Sequence, residues 1–568
     1  MTTATIKIGS HLLNRLKELG IDTVFGCPGD YNMPLLDLIE DDRDLLWGNN
    51  ANELNASYAA DGYARIRGAG AVVTTFGVGE LSAANGIAGS FSEMVPVVHI
   101  VGTPNTKSQM SGAILHHTLG NGNYRVFQQM FAKITSANTH LERRNALSEI
   151  DRVLKEMILS RRPAYIAIPI DLINTEVTVT AESQEALNLK RPKNPIKTQE
   201  ACLRNVLRAI EDAKHPLILV DACALRNNIT HVVRQLAEKT QFPTYVAPMG
   251  KGAVDETATY YRGCYCGSVS LQEIAKEVHD ADLILEIGAV KSDFNTGGFS
   301  YGVDQDKIIA FHSFSTTIFR ATYDKVDMIE LLPLVIEALP DNLNKQLELG
   351  LAASPAPAEP GTEITHSYFW NKVNEYMPPR SIIVAETGTS EFGVFNMKAP
   401  KDAFFISQVL WGSIGYSVGA ALGAACAARG RRVFLFVGDG SFQMTAQEIS
   451  VMMHQGLTPV ILLLNNDGYL IEKLIHGPDR DYNNYQMWNY HKTLEYMGGN
   501  MEINQQRERI PQHSLIGLQA KVTTREEFEV AMEQTVKETN RIHFIEVIMP
   551  RFDAPRELVL QVETSENR

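Results

Sequence analysis

The segment of residues 432–477 constrains the fold more than any other part of the chain. An apolar run at 433–437 breaks into Gly-Asp-Gly-Ser, and a polar segment at 442–454 has the composition of a helix. A second apolar run at 459–464 ends in Asn-Asn-Asp-Gly-Tyr. This order predicts a strand, a turn, a helix, a strand and a turn. A connection of this length suits a crossover helix between two parallel strands.

A polar side chain follows each strand of this unit: Asp439 comes after the first and Asn466 after the second. The carboxyl ends of parallel strands meet at one sheet edge, where open α/β sheets bind ligands. Carboxylate and amide oxygens, with the carbonyl of Gly468 as a third ligand, suit Mg²⁺, which takes further ligands from phosphates. The glycines permit close approach of the backbone, and a helix beginning near Ser441 directs its amide end at the same place. The unit therefore predicts a magnesium–diphosphate site.

Composition excludes several classes of protein. A chain of 568 residues accommodates about three domains of ~150–200 residues. The net charge of −14 argues against nucleic acid or an anionic membrane as a partner. No apolar run reaches the ~18 residues of a membrane span, and the first residues lack a signal-peptide pattern. The six cysteines are scattered, which favours reduced thiols and poorly fits a zinc site. We expect a cytoplasmic protein.

Two proline-containing polar stretches, 182–199 and 353–363, divide the chain. Between them, amphipathic helical segments alternate with short apolar runs, which is typical of parallel sheets covered by helices. We therefore predict an α/β fold with three doubly wound parallel-sheet domains. Their expected limits are 1–182, 196–345 and 363–556. Residues 480–515 are polar and irregular, consistent with a mobile surface or lid.

Several candidate residues have ordinary explanations when each is taken alone. Asp30 follows a Pro-Gly turn, where it is typical of the N-cap of a helix at 33–39. Glu53 opens a helix, where a carboxylate is favourable anyway. Adjacent histidines such as His116 and His117 cannot share one face of a helix or strand, which disfavours a simple metal chelate. Cys223 alone is typical of a small core residue, and Ile414 could likewise belong to the core.

The spacing within the first segment changes this assessment. GDGS, then 24 residues from Ser441 to Leu464 and then NN, matches the thiamin diphosphate motif. The chain thereby resembles the thiamin-diphosphate-dependent 2-keto acid decarboxylases. The residues around Glu53, the HHTLG at 116–120 and the segment at Cys223 extend the resemblance along nearly the whole chain, to the fungal pyruvate decarboxylases.

The resemblance implies non-oxidative decarboxylation of a 2-keto acid, pyruvate to acetaldehyde and CO₂, through an ylid and an enamine of thiamin diphosphate, with Mg²⁺ as a second cofactor. Glu53 would activate the cofactor, and Ile414 would hold it in its bent form. The remaining catalytic residues would handle protons and the substrate carboxylate; they are Asp30, His116, His117 and Glu472. The diphosphate-binding domain and its neighbouring turns would supply the cofactor contacts Thr387, Gly388, Thr389, Gly412, Ser413, Gly438, Asp439, Gly440, Ser441, Asn466, Gly468, Tyr469 and Ile471.

The resemblance also implies an assembly. The pyrimidine end of the cofactor would lie on the first domain of one subunit and the diphosphate on the third domain of its partner. A homodimer would be the smallest active unit, and a homotetramer the expected assembly. Cys223 and Arg226 resemble the segment where this family places the cysteine of substrate activation.

Three residues depart from the fungal pattern: Met94, Leu470 and Glu391. Met94 replaces a histidine of the proposed activation relay, so signalling from Cys223 would be weaker or differently routed. Leu470 and Glu391 are expected near the substrate pocket. Two alternatives therefore stay open: a decarboxylase of larger aromatic or branched 2-keto acids, of the phenylpyruvate or indolepyruvate type, and a catalytically silent regulatory paralog. A carboligase is a further alternative that the histidine pair and Glu472 disfavour.

Overall fold

Three large β-sheets follow one another along the chain. The structure, a computed structural model, describes residues 4–341, 343, 352–354, 357–499 and 516–566. The first sheet is entirely parallel. Its strands, in spatial order, are Leu46–Trp47, Thr23–Gly26, Gly70–Thr75, Val97–Thr103, Ala164–Pro169 and Ala137–His140. A small antiparallel pair, Thr5–Lys7 with Glu176–Thr178, lies outside it.

The third sheet repeats the topology of the first. Its parallel strands, in spatial order, are Phe404–Ile406, Ile382–Ala385, Val433–Gly438, Val460–Asn465, Ile542–Ile548 and Ile516–Val522. In both sheets the second strand in sequence lies at one edge. The fifth strand in sequence lies at the other edge, and the sixth lies between the fourth and the fifth. The chain direction across each sheet therefore reverses between the first and third strands in sequence. Ligands bind open α/β sheets at such switch points.

The middle sheet is mixed. Its strands, in spatial order, are Tyr261–Cys264, Thr244–Val246, Pro216–Val220, Leu283–Ile287, Ile308–Phe311, Ser315–Ile318 and Ala321–Asp324. The last two pair antiparallel at one edge, and the other five are parallel. The predicted α/β class with three mostly parallel sheets is confirmed. The predicted domain limits stay a prediction; the helix Ala181–Gln184 lies within the first expected linker.

Helices cover both faces of the sheets, which explains why strands such as Val97–Thr103 are buried along their whole length. In the first part of the chain they are Ile8–Glu18, Met33–Asp41, Glu53–Arg67, Val78–Ser92, Thr106–Met110, Val126–Phe131, Ala146–Ser160, Ile170–Ile173 and Ala181–Gln184. In the middle they are Ile196–Asp212, Ala222–Arg226, Thr230–Thr240, Gln272–Asp280 and Met328–Ala338. In the last part they are His366–Val373, Thr389–Gly393, Tyr416–Ala427, Asp439–Thr445, Glu448–His454, Leu470–His476, Thr493–Tyr496, Arg525–Lys537 and Arg556–Glu566.

The single helix predicted over 442–454 is wrong in detail, because the structure has two helices there. Asp439–Thr445 begins directly after the strand, earlier than Ser441, and Glu448–His454 follows it. Of the predicted lid at 480–515, residues 500–515 lie outside the described residues, as do 355 and 356 of the second linker. None of the described helices is both long and apolar enough to span a membrane.

One helix pair joins the first and third sheets. Asn52 caps the helix Glu53–Arg67 by accepting a hydrogen bond from the amide of Asn55, and Gly68 ends it at φ 93°. This helix packs against Tyr416–Ala427, a helix of small residues that is buried throughout. The packing also brings the turn before Glu53 close to the helix Glu448–His454. There the Glu448 carboxylate accepts hydrogen bonds from the Asn50 side chain and the Ala51 amide.

Candidate active site

The two turns predicted to hold a cation meet at one edge of the third sheet. Gly438 and Leu464 are in register on adjacent parallel strands, so Asp439 and Asn466 follow neighbouring strand ends. The Asp439 carboxylate accepts hydrogen bonds from the amides of Gly440 and Gly468, both at 3.1 Å. Gly468 adopts φ 118°, a conformation that favours glycine. The geometry therefore brings together the carboxylate, the amide residue and the glycine that the sequence singled out.

This edge carries buried acidic groups without enough cations. Asp439 is 2% exposed, and burial raises its pKa to about 6 although amide donors partly oppose the rise. Glu386 follows the neighbouring strand Ile382–Ala385, and burial raises the pKa of its carboxyl to about 8. Two cations lie near the turn 466–468: Lys473 Nζ donates to the carbonyl of Asp467 at 2.5 Å, beside Gly468, and Arg551 pairs with the Asp467 carboxylate at 3.4 Å. A bound divalent cation would offset the cost of burying two carboxyl groups here.

The residues around these carboxyls fit a diphosphate with Mg²⁺. A Cβ at Gly440 would come within 2.6 Å of the Tyr485 hydroxyl, and one at Gly388 within 2.5 Å of Glu386, so both glycines leave room that no other residue would. Ser390 Oγ and the side-chain amide of Asn483 are buried without a hydrogen-bond partner among the described residues. Buried polar groups of this kind require partners, which a bound phosphate and its waters would supply.

A second cluster lies at the switch point of the first sheet. His116 Nε2 lies 2.6 Å from Asp30 Oδ2, and His117 Nε2 lies 4.0 Å from Asp30 Oδ1. The Tyr31 ring stacks on His116 at a centroid distance of 5.0 Å. The three side chains are partly exposed, by 46% for Asp30, 58% for His116 and 32% for His117. Asp30 thus pairs with a histidine, whereas Asn32 occupies the N-cap position of the following helix.

The rule that adjacent histidines cannot share one face of a helix or strand does not apply to His116 and His117. His116 and His117 belong to neither a helix nor a strand, and His117 adopts φ 65°. Their rings lie 4.7 Å apart, and both reach Asp30. One ligand atom from each of the three side chains falls within 4.8 Å of the others. The turn, and not a regular element, makes the two imidazoles converge.

Glu53 is half-buried at the first position of its helix. A Cβ at Gly79 would approach Glu53 Oε1 to 3.0 Å, which places the carboxylate against the first turn of the helix Val78–Ser92. Ile414 is half-buried next to Ser413, whose hydroxyl hydrogen-bonds the Tyr58 hydroxyl at 2.7 Å. Glu53 is thus the first residue of the helix Glu53–Arg67, and Ile414 lies in the loop just before its partner helix, Tyr416–Ala427.

Glu472 is exposed on the helix Leu470–His476. Within the described part of the chain it makes no hydrogen bond or ion pair with Asp30, His116 or His117. Leu470 is 3% exposed, whereas Ile475 on the same helix is 52% exposed.

Cys223 is fully buried at the interface of the first and second sheets. Its Sγ lies 3.8 Å from Met94 Sδ and 3.9 Å from His312 Nε2, and burial raises the pKa of the thiol to about 12. Arg226 donates to the carbonyl of Glu93 at 2.7 Å. Glu93 Oε1 in turn accepts the amides of Leu410 at 2.8 Å and Trp411 at 3.1 Å. A polar connection thus runs from Arg226 to the loop before Ile414.

Sequence reasoning missed Glu386, Lys473, Asn483 and Tyr485. Glu386 directly follows a strand of the third sheet, so the rule that located Asp439 also applies to it. Lys473 lies on the helix that follows the second turn, and its burial depends on tertiary packing. Asn483 ends the short 3-10 helix Asp481–Asn483, Tyr485 follows it, and neither residue carries a local sequence signal.

Three sequence models of thiamine pyrophosphate enzymes match the chain. They describe the N-terminal TPP binding domain over residues 6–130, the central domain over 203–339 and the C-terminal TPP binding domain over 386–547. Pyruvate decarboxylase isozyme 2 of Saccharomyces cerevisiae is 43% identical, with 98% of both chains covered. A putative pyruvate decarboxylase of Schizosaccharomyces pombe is 42% identical, again over 98% of both chains. Pyruvate decarboxylase of Hanseniaspora uvarum is 42% identical over 98% of this chain and 97% of its own.

Proposed function

The chain belongs to the pyruvate decarboxylase family of thiamine pyrophosphate enzymes, and on that premise we propose that it converts pyruvate to acetaldehyde and CO₂ without oxidation. It is a thiamin-diphosphate-dependent carboxy-lyase that acts on a 2-keto acid. The observation that carries the proposal is 43% identity over 98% of the chain, together with the turns of Asp439 and Gly468 in contact at one sheet edge.

Mg²⁺ and the diphosphate would bind at the edge of the third sheet. Asp439, Asn466 and the carbonyl of Gly468 offer hard oxygen ligands, and phosphate oxygens and water would complete the coordination. The burial of Asp439 supports this assignment, because a buried carboxyl gains most from a nearby cation. Thr387, Gly388, Thr389, Ser441, Tyr469 and the neighbouring cofactor residues predicted above would line the same site.

When bound, thiamin diphosphate supplies the nucleophilic carbon and the electron sink that decarboxylation of a 2-keto acid requires. Glu53 would hydrogen-bond the pyrimidine end from its position beside the start of the helix Val78–Ser92. Ile414 would support the ring system from the loop before Gly415. The Asp30–His116 pair and His117 would hold and transfer protons, since carboxylate and imidazole in contact form an acid–base unit. Glu472 would act beside the substrate carboxylate.

A homodimer would be the smallest active unit, and a homotetramer the expected assembly. Glu472 makes no described hydrogen bond or ion pair with the Asp30 cluster within one chain, and we propose that both belong to one site. Large apolar side chains are exposed beside each: Met110, Ile114 and Leu119 flank the histidines in sequence, and Ile475, Tyr482 and Trp488 follow Glu472. Apolar surface of this kind marks protein interfaces, so a second copy of the chain would complete the site.

Pyruvate is favoured over a bulky 2-keto acid by the names of the relatives. Glu391, one of the departures from the fungal pattern, accepts a hydrogen bond from Ser407. Cys223 and Arg226 are proposed to influence activation by substrate through Glu93. We place the enzyme in the cytoplasm, by analogy with a fermentative decarboxylase.

The decisive experiment measures steady-state aldehyde formation with thiamin diphosphate and Mg²⁺, comparing pyruvate, phenylpyruvate and 2-ketoisocaproate. We expect a clear preference for pyruvate. Preference for a bulky acid would replace the substrate assignment and leave the reaction type intact. Cofactor binding without aldehyde from any substrate would identify a silent paralog. A matched reaction with the Glu53→Gln variant controls for decarboxylation that does not depend on the site.

A further inference from the structure

The cluster of Asp30, His116 and His117 has the donor set of a transition-metal site. One ligand atom from each side chain lies within 4.8 Å of the other two. Among the residues that the structure describes, these form the one group of three histidine, cysteine or carboxylate side chains at such spacing. Two imidazoles and one carboxylate are a donor set that zinc sites with an open coordination position use.

The distances within the cluster lie on either side of the spacing that a bound ion requires. His116 Nε2 lies 2.6 Å from Asp30 Oδ2, and His117 Nε2 lies 4.0 Å from Asp30 Oδ1. The ligand atoms of a tetrahedral zinc ion, with bonds of about 2.0 Å, lie about 3.3 Å apart. All three side chains are partly exposed, so small rotations would bring their ligand atoms to this spacing. The ion would take the place of the proton in the hydrogen bond between His116 and Asp30.

Tyr31 supplies the outer contact that a metal-bound histidine needs. Its hydroxyl lies 3.4 Å from His116 Nδ1 and 3.5 Å from the carbonyl oxygen of His116. The hydroxyl can therefore accept a hydrogen bond from Nδ1–H and donate one to that carbonyl. This pattern leaves His116 Nε2 free to bind an ion, and metal-bound histidines commonly donate their other N–H in this way. The buried Tyr31 ring also stacks on the imidazole and fixes its orientation.

The Asp30 carboxylate has no permanent cation as a competing partner. Within the described part of the chain it forms ion pairs with the two histidines and with no lysine or arginine. The pair of His11 and Asp151 shows the contrasting case, because Arg15 also binds that carboxylate at 2.8 Å. A metal ion at Asp151 would have to displace a guanidinium, whereas at Asp30 it would displace only a proton.

Ligand chemistry separates this cluster from the magnesium site at the third sheet. Asp439, Asn466 and the carbonyl of Gly468 offer oxygen atoms only, which suits Mg²⁺. Asp30 and its histidines offer two nitrogen atoms, and imidazole suits Zn²⁺ and the neighbouring first-row metals. Mg²⁺ should therefore not fill the Asp30 cluster, even when it saturates the oxygen site.

We propose that Asp30, His116 and His117 form an inhibitory binding site for Zn²⁺ and similar first-row cations. The ion takes one carboxylate oxygen and the Nε2 atoms of both histidines, and water fills the open position. Side chains bound to the ion cannot hold or transfer protons, so an occupied site stops decarboxylation until the ion leaves. The inhibition rests on the proposed function, whereas the binding of the ion does not.

The test is titration of the full chain with Co²⁺ and then Zn²⁺, at saturating Mg²⁺ and thiamin diphosphate. Co²⁺ in a four-coordinate site with imidazole ligands absorbs visible light much more strongly than Co²⁺ on oxygen ligands. We expect one strongly absorbing Co²⁺ per chain, which Zn²⁺ displaces. In His117→Gln the affinity should fall at least about 10-fold, because losing a ligand costs more than losing an outer contact. Equal Co²⁺ absorption in His117→Gln and the wild type, or none in the wild type, would overturn the site.

Two further variants test the specificity of the site. His231→Gln alters an exposed histidine on the helix Thr230–Thr240 and should bind Co²⁺ like the wild type. Tyr31→Phe keeps the ring and removes the hydroxyl, so it should bind Co²⁺ more weakly than the wild type and more tightly than His117→Gln. Loss of Co²⁺ binding in His231→Gln equal to that in His117→Gln would place the ion elsewhere.

Activity assays on the same wild-type protein test the inhibition. Acetaldehyde formation should fall in proportion to the fraction of chains that hold Zn²⁺, and a zinc-selective chelator that leaves Mg²⁺ bound should restore it. Full activity with the site occupied would refute the inhibitory role. Absence of aldehyde before any Zn²⁺ is added would refute the proposed function instead, and the Co²⁺ titration would still decide whether the metal site exists.

Discussion

Individual buried charges determine what the site can bind. Asp439 and Glu386 are both buried at one sheet edge, and burial raises the pKa of both carboxyls. Such an arrangement is stable when a cation shares the space. Asp467 lies in the same turn as Gly468 but its side chain is 59% exposed, so it has no comparable role.

Replacing Asp439 with Asn should abolish Mg²⁺-dependent binding of thiamin diphosphate. The substitution keeps the shape and removes the anionic ligand, so we expect activity to fall by about 100-fold or more. Titration of both proteins with Mg²⁺, followed by cofactor binding, checks the expectation. Asp467→Asn is the matched control and should bind like the wild type; equal losses in the two variants would show that the effect is not specific to Asp439.

Asp30→Asn should separate catalysis from cofactor binding. Its carboxylate contacts His116 at 2.6 Å and lies on the first sheet, so the variant should lose about 100-fold in kcat while thiamin diphosphate still binds. The measurement pairs aldehyde formation with a binding isotherm. Asp37→Asn, on the exposed face of the helix Met33–Asp41, serves as the control. An unchanged kcat in Asp30→Asn would remove Asp30 from the catalytic set.

At the scale of elements, the helix pair Glu53–Arg67 and Tyr416–Ala427 connects the first sheet to the third. Its close approach depends on glycines. A Cβ at Gly62 would lie 2.2 Å from the carbonyl oxygen of Ala420, and one at Gly423 would lie 1.8 Å from that of Ala59. Backbone atoms cannot move aside as a flexible side chain can, so these positions set the distance between the helices.

Gly423→Ala should separate this pair and destabilise the protein by about 3 kcal/mol. Chemical unfolding measures the loss, and weaker binding of thiamin diphosphate should accompany it because Glu53 and Ile414 flank the two helices. At Gly430 a Cβ would meet no described atom within 4 Å, so Gly430→Ala should change stability by less than about 0.5 kcal/mol. A Gly423→Ala protein as stable as Gly430→Ala would contradict the packing argument.

At the scale of the whole molecule, the first and third sheets repeat one topology and each presents part of the candidate site. The Asp30 cluster and Glu472 both remain partly exposed on a single chain. If two copies complete each other's sites, catalytic groups from different chains must cooperate.

Mixing Glu53→Gln with Asp439→Asn, after dissociation and reassembly, should therefore restore activity. A mixed dimer would contain one site with both defects and one with neither, so random assembly should recover about a quarter of wild-type activity. Each variant alone supplies the control. A mixture no more active than its components would place both residues of a site on the same chain.

The sequence alone determined the fold class, the magnesium–diphosphate prediction and the helix that begins at Glu53. These rest on local patterns: apolar runs, glycine turns and the rule that parallel strands end at one edge. Predictions from the sequence failed where the periodicity of apolar residues gave no guidance. The helix after Gly438 begins early and is divided, and the histidine pair lies in a turn to which rules for regular faces do not apply.

Only the tertiary structure decided which distant residues meet. His116 reaches Asp30 across 86 positions, and Glu93 holds the amide of Leu410 across 317. Glu391, which was expected near the substrate pocket, accepts a hydrogen bond from Ser407 at 2.7 Å. Such contacts depend on how whole sheets and helices pack and on which charges lose their water, and no local pattern in the chain encodes either.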